Sequence, residues 1–379
     1  NQMFAALLLP EELIMEILSR IPVKALMRFK CVSKPWNSSM YTPTFVKLHY
    51  QRSSRNTHVL IESTYGVSSC SLHHLLEEPS SVIKPGHEIL EKNYNVLMVC
   101  KGLVCILYFD IPYKQYFEFW VQLWNPAAKL MFEESSRFRI YENNDKFDAL
   151  NQKFGFGYND QSDIFKVVVV LMNTEAQQME VISYNLLGDK CWKKILTLSN
   201  YPITGHEMIG EFVSGTINWL VDHPKLCSHH QGNIDTMDQM EILSFDIKNE
   251  TCIYMSMPSH VDTEPNLRVL KDYLCLYYDH MKTHLVVWLM REYGDDKSWT
   301  QLLNIGYEHL QIDEPIALIQ HCMPLCMSED EDVLLLENYG SFHFFIVYNK
   351  RDNIVYHLFE DHLSSFREYV PSLFLPYWN

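Results

Sequence analysis

The sequence predicts a multidomain α+β chain: a small helical module, then an all-β domain built as a propeller of six blades. Three observations predict it. Residues 9–45 space their apolar side chains as helices do. Beyond about residue 57, helical periodicity gives way to short β-branched and aromatic runs broken by polar turns. Those runs repeat one strand–turn–strand form, with aromatic markers at Trp124, Tyr184, Phe245, Trp288 and Tyr348 spaced at roughly 45–60 residues, the period of propeller blades. A β-sandwich also yields many short strands and stands as the alternative fold. The boundaries read as 5–50 for the helical domain and 51–379 for the β domain.

The helical module begins at Leu9-Pro10. Positions 13, 14, 17, 18 and 21 are apolar and make one helix face. Pro10 suits a helix start, and Glu11 and Glu12 favour its positive end. Pro22 ends that helix and opens the next segment. Leu26, Met27 and Phe29 form a second apolar group, and Ser33 can cap a short helix carrying Trp36. About forty residues cannot bury all of these side chains among themselves. The surplus must meet the rest of the chain or another protein.

The β domain has five plain hairpins, at 119–131, 179–195, 241–253, 284–299 and 344–355. Single strands are expected ahead of them at 102–107, 165–169, 212–220, 273–276 and 333–337. A further hairpin, 59–61 with 70–72, supplies a sixth blade. The paired glycines of Phe154-Gly155-Phe156-Gly157 read as a turn between strands. Long loops are expected at 223–239, 260–266 and the acidic run 328–332, where a rigid scaffold would carry recognition. This domain has its own repeat and core, so the surplus apolar face of the helical module is expected to look outward.

Bulk properties exclude some function classes. The 379 residues are 47% hydrophobic, enough for a large core and more than one domain. A net charge of −16 argues against nucleic acid as a partner and leaves a basic protein partner as the expectation. No run approaches the ~18 apolar residues of a membrane span. Residues 3–9 lack the basic start of a secretory signal, and Asn1 in place of Met leaves room for a short upstream leader. Ten scattered cysteines, mostly in apolar runs, read as reduced buried thiols of the cytoplasm or nucleus.

Chemistry-bearing clusters are weak. Cys227-Ser228-His229-His230, and His321-Cys322 with Cys326, lack a second pair at zinc spacing and read as loop and core residues. No nucleophile elbow, phosphate-cradling glycine loop or His-Glu-x-x-His helix is present, so no catalytic, cofactor or metal residue is assigned.

The run Leu9-Pro10, Glu16-Ile17-Leu18, Arg20-Ile21-Pro22, Lys24, Leu26, Arg28-Phe29-Lys30-Cys31-Val32-Ser33-Lys34 and Trp36 resembles the F-box of plant F-box proteins. One departure is Ser39-Met40, where many relatives carry Leu-Ile. The remainder resembles the F-box-associated, kelch-like domain of that family. Its marks include Lys101-Gly102-Leu103-Val104-Cys105, Leu123-Trp124-Asn125-Pro126, Gly215-Thr216-Ile217-Asn218-Trp219 and Tyr369-Val370-Pro371-Ser372-Leu373. S-locus F-box proteins of pollen share the architecture.

The resemblance implies a non-catalytic substrate receptor of an SCF-type (Skp-cullin-F-box) ubiquitin ligase, acting in protein degradation. The F-box would bind a Skp-family adaptor and, through it, cullin, while the β domain holds the protein to be ubiquitinated. Carried over position by position, the adaptor-binding residues are Leu9, Pro10, Leu13, Ile14, Ile17, Leu18, Ile21, Pro22, Leu26, Cys31, Val32 and Trp36. No cofactor, nucleic acid or membrane is implied. The alternatives are an S-locus receptor for a pollen-tube ribonuclease, a propeller enzyme targeted through its F-box, and a binding protein outside ubiquitin transfer.

Overall fold

Four helices open the chain in the computed structural model: α1 (Glu11–Leu18), α2 (Val23–Phe29), α3 (Lys34–Met40) and α4 (Pro43–Ser53). The structure describes residues 10–53, 57–63, 66–77, 90–91, 96–110, 116–141, 152–173, 178–186, 190–199, 208–222, 240–259, 261–312, 321–339, 344–358 and 363–375. Pro10 and Pro22 sit just ahead of α1 and α2, where the missing N–H costs nothing. Ser33 is the residue before α3, although its side chain makes no cap bond. The expected boundary between residues 50 and 51 falls inside α4.

Among the described residues twenty-five strands follow, in six sheets. Blade 1 holds β1 (His58–Ser63), β2 (Gly66–Ser71) and β3 (Leu90–Glu91), with helix α5 (Leu72–Glu77) between the last two. Blade 2 holds β4 (Val96–Cys100), β5 (Leu103–Asp110), β6 (Tyr116–Asn125) and β7 (Leu130–Glu134), with β8 (Phe138–Tyr141) also paired to β6. Blade 3 is β9 (Lys153–Asn159), β10 (Ile164–Asn173), β11 (Gln178–Asn185) and β12 (Trp192–Ser199). Blade 4 is β13 (Glu211–Val213), β14 (Thr216–Asp222), β15 (Met240–Asp246) and β16 (Thr251–Met255). Blade 5 is β17 (Asn266–Leu270), β18 (Tyr273–His280), β19 (His284–Met290) and β20 (Trp299–Gly306). Blade 6 is β21 (His321–Met327), β22 (Val333–Tyr339), β23 (Phe344–Asn349) and β24 (Ile354–Leu358).

The ring closes through the last strand. β25 (Leu363–Tyr369) pairs antiparallel with β1, placing His58 opposite Tyr369, and so completes blade 1 from the far end of the chain. The innermost strands β25, β4, β9, β13, β17 and β21 each neighbour the next around the axis. Six separate blades in a closed ring rule out the sandwich and leave each sheet packed face to face with two others. The repeat period and the extra hairpin at blade 1 are both realised.

Two local readings differ from the expectation. Gly155 and Gly157 lie within β9, not in a turn. A Cβ on Gly155 would stand 2.4 Å from Ile217, and one on Gly157 would stand 2.2 Å from Ile247 and 2.5 Å from Phe212. Blade 4 therefore presses against the bare backbone of blade 3, and only glycine fits. Residues 212–220 form two strands, β13 and β14, split by a turn in which Ser214 and Gly215 both take positive φ.

The helices do not stand apart from the ring. Leu18, Val23, Leu26, Met40, Phe45 and Val46 join Phe156, Tyr158, Phe165, Leu373 and Phe374 in one buried cluster. The expectation of two independent cores is thereby corrected. Lys47 of α4 pairs with Asp163 in the β9–β10 turn at 2.5 Å. Lys101, in the β4–β5 turn, lies 5.3 Å above the Tyr50 ring. The helical module thus sits on the end of the propeller that carries the turns leading out of the innermost strands of blades 2 and 3.

Candidate adaptor-binding surface

The shape of the helical module is set by contacts between α1 and α4. Glu16 accepts from Arg20 at 2.6 Å and pairs with Arg52 at 2.8 Å. The Arg20 and Arg52 guanidiniums hold its carboxyl below the usual carboxylate range. Arg52 also reaches the Ser19 hydroxyl, which itself donates to the Glu16 carbonyl at 2.9 Å. His49 is fully buried, with Nε2 2.8 Å from the Ile21 carbonyl oxygen. Burial pushes its pKa down, so the ring is neutral and Nε2 is the donor.

This scaffold sorts the candidate residues into three groups. Leu13 and Ile17, one turn apart on α1, are 49% and 50% exposed, and Val32 beyond α2 is 70% exposed. Pro10, Pro22 and Cys31 are also exposed. Ile14, Ile21 and Trp36 are half-buried; the Trp36 ring meets Phe29 edge-on at 6.4 Å. Leu18 and Leu26 are 3% and 0% exposed and lie in the shared core. That is a correction for these two: both face inward, so they shape the surface and offer no atoms to it. Leu9 lies outside the described residues.

Helical spacing explains the division. Ile17 and Leu18 are neighbours in sequence, about 100° apart around α1. A single broad apolar stripe therefore contains both an outward and an inward edge. Apolar content alone did not separate them. An open groove of about 350 Å³ on the other side of α1, lined by Glu11, Glu12, Met15, Thr42, Thr44, Phe45 and Leu48, was not foreseen. Its sequence signal is Met15, two residues from Leu13 and so nearly opposite it on the helix.

The remaining candidates behave as scaffold. The acidic run is largely paired internally: Glu331 takes two bonds from Arg291, at 2.6 and 2.8 Å, and Arg351 meets both Asp330 and Asp332. Two guanidiniums thus offset half of its four negative charges on the spot. Cys322 and Cys326 are buried, and burial pushes both thiols well up. Among the described residues no group of three or more His, Cys, Asp or Glu side chains could hold a metal ion. Cys227, His229 and His230 lie outside the described residues, as does the loop 223–239. No described helix is long and apolar enough to cross a membrane.

Comparison with known proteins places these features. The F-box domain family matches residues 7–47. An F-box/kelch-repeat protein of Arabidopsis thaliana is 29% identical over 323 residues, covering 80% of this chain and 81% of the relative. Two further F-box proteins of that plant align over most of both chains. One is 23% identical over 357 residues, 86% of this chain and 80% of its own length. The other, F-box protein CPR1, is 21% identical over 359 residues, 87% and 79% respectively. Helices, ring and relatives agree: the chain carries an F-box domain at its N-terminus followed by a six-bladed propeller, and along most of its length it is similar to F-box and F-box/kelch-repeat proteins of Arabidopsis thaliana.

Proposed function

We propose that this chain is the substrate receptor of an SCF-type ubiquitin ligase, binding a Skp-family adaptor through its F-box and a target protein through its propeller. The carrying observation is the exposed apolar set Leu13, Ile17 and Val32 on a helical module that is otherwise tied down by Glu16, His49 and Arg52. Burying one such Leu or Ile at an interface contributes about 1.5–3 kcal/mol. The receptor does no bond chemistry of its own. It raises the local concentration of target lysines near the conjugating enzyme.

The target would dock away from the F-box. Strands β10, β14 and β22 end, at Asn173, Asp222 and Tyr339, on the opposite side of the ring from the β9–β10 turn that meets α4. The free thiols, nine among the described residues, fit residence in the cytoplasm or nucleus.

Co-purification of the full chain with a Skp-family adaptor is the test. Ile17→Asp should abolish association while leaving the melting temperature unchanged, because the side chain is half exposed. Leu26→Ala does not serve as an interface variant, since Leu26 is fully buried and its truncation costs about 2–5 kcal/mol of stability. Wild-type protein that fails to bind any adaptor would end this reading.

A further inference from the structure

The segment after β25 runs on over the neighbouring blade. Its backbone runs over Gly102, where φ is +76° and a Cβ would stand 2.3 Å from the Val370 carbonyl oxygen. Ser372 is fully buried and donates its hydroxyl to the Lys101 carbonyl at 2.8 Å. The Asn125 amide, also fully buried, donates to the Ser372 and Phe374 carbonyls at 3.1 and 3.0 Å. The chain has then travelled from blade 1 across blade 2.

It ends in a wedge. The Phe374 ring is 2% exposed and meets Tyr158 and Phe165 of blade 3 edge-on at 5.3 and 5.9 Å. Its remaining face meets Tyr50 of α4, again edge-on, at 5.5 Å. Each of these three edge-on pairs adds a directional attraction to what burial of the ring alone contributes. The strand that closes the ring therefore continues into the contact that holds the F-box against it.

We propose that residues 370–375 are an intramolecular latch. They fix the orientation of the F-box on the propeller, and with it the direction in which a bound target is presented. Phe374 and Asn125 are positioning residues: neither is exposed, and neither needs to touch adaptor or target. The latch deepens the receptor reading, and its functional meaning rests on that reading. Its geometry is tested on the free chain.

Spin labels on genetically encoded keto amino acids at Lys24 of α2 and at Met281, which is 70% exposed, report the distance between F-box and propeller. The wild-type chain should give one narrow distance distribution. Phe374→Ala should at least double its width, with adaptor affinity changed less than twofold, and Phe374→Tyr should restore it. A folded Phe374→Ala chain that keeps the wild-type width overturns the latch. Should Phe374→Ala fail to fold, Tyr50→Ala decides in the same way, since Tyr50 lies on α4 and outside the blades. Adaptor binding is a separate readout: its absence in wild type sinks the receptor reading and leaves the distance result standing.

Discussion

Asn125→Ala offers a direct measure of what holds the C-terminal segment down. Asn125 is fully buried and uses three of its bonds at once. It donates to the Ser372 and Phe374 carbonyls at 3.1 and 3.0 Å and accepts from the Ala128 N–H at 2.9 Å. Alanine strands two carbonyls and one N–H. Each unmet buried group costs about 1–3 kcal/mol, and relaxation of the segment recovers part of that, leaving about 3 kcal/mol. The effect is large against a typical stability of about 5–15 kcal/mol. At a urea slope of about 3 kcal/mol/M, the unfolding midpoint should fall by about 1 M. Asn125→Asp keeps the shape but aims an anionic acceptor at two carbonyl oxygens, so its loss should be at least as great. A midpoint within 0.2 M of wild type for both variants would refute the bond-by-bond reasoning.

Other outcomes follow from single contacts. Gly157→Ala drives a methyl group against Ile247 and Phe212 and should cost about 1–3 kcal/mol, seen as a lower melting temperature; an unchanged melting temperature would place blade 4 elsewhere. His49 is held below its ordinary 6.5 by burial, so the unfolded chain binds its proton first as pH falls. Stability should be complete above 6.5 and decline from there downward until the folded pKa is passed, and His49→Gln should flatten that part of the profile. Glu368 is pushed up to about 7, first by burial and next by Asp272. The folded chain then holds its proton through a window from 4.5 to about 7 where the unfolded chain has lost it, so stability declines as pH rises through that window. Glu368→Gln should match wild type near pH 4.5 and exceed it at pH 8 in thermal melts; equal melts at pH 8 would count against the burial of this carboxyl.

The hairpins were readable because each is local. Trp124-Asn125-Pro126 and Phe245-Asp246 couple a strand to its turn within a few residues, and alternation marks the buried face. Closure was not readable in that way. His58 and Tyr369 pair across most of the chain, and nothing near either one announces the other. The glycines of β9 were misread for a related reason. Paired glycines signal a turn when only neighbours in sequence are weighed, whereas here the demand for bare backbone comes from Ile217, Phe212 and Ile247 of the next blade.

The F-box raises the same issue at the scale of a domain. Its apolar surplus was legible, but the share taken by the propeller was not. Leu26 and Ile17 look alike in sequence, yet one is fully buried and the other is half exposed. What separates them is a third party: α4, whose Lys47 and Tyr50 engage Asp163 and Phe374, and whose His49 and Arg52 turn α1 so that Leu18 faces inward. The apolar residues that remain outside are therefore the ones the propeller could not reach. An outward face defined in this way depends on how the F-box is seated. A change at Phe374 can then alter where Ile17 points relative to the ring without touching a single residue of the F-box.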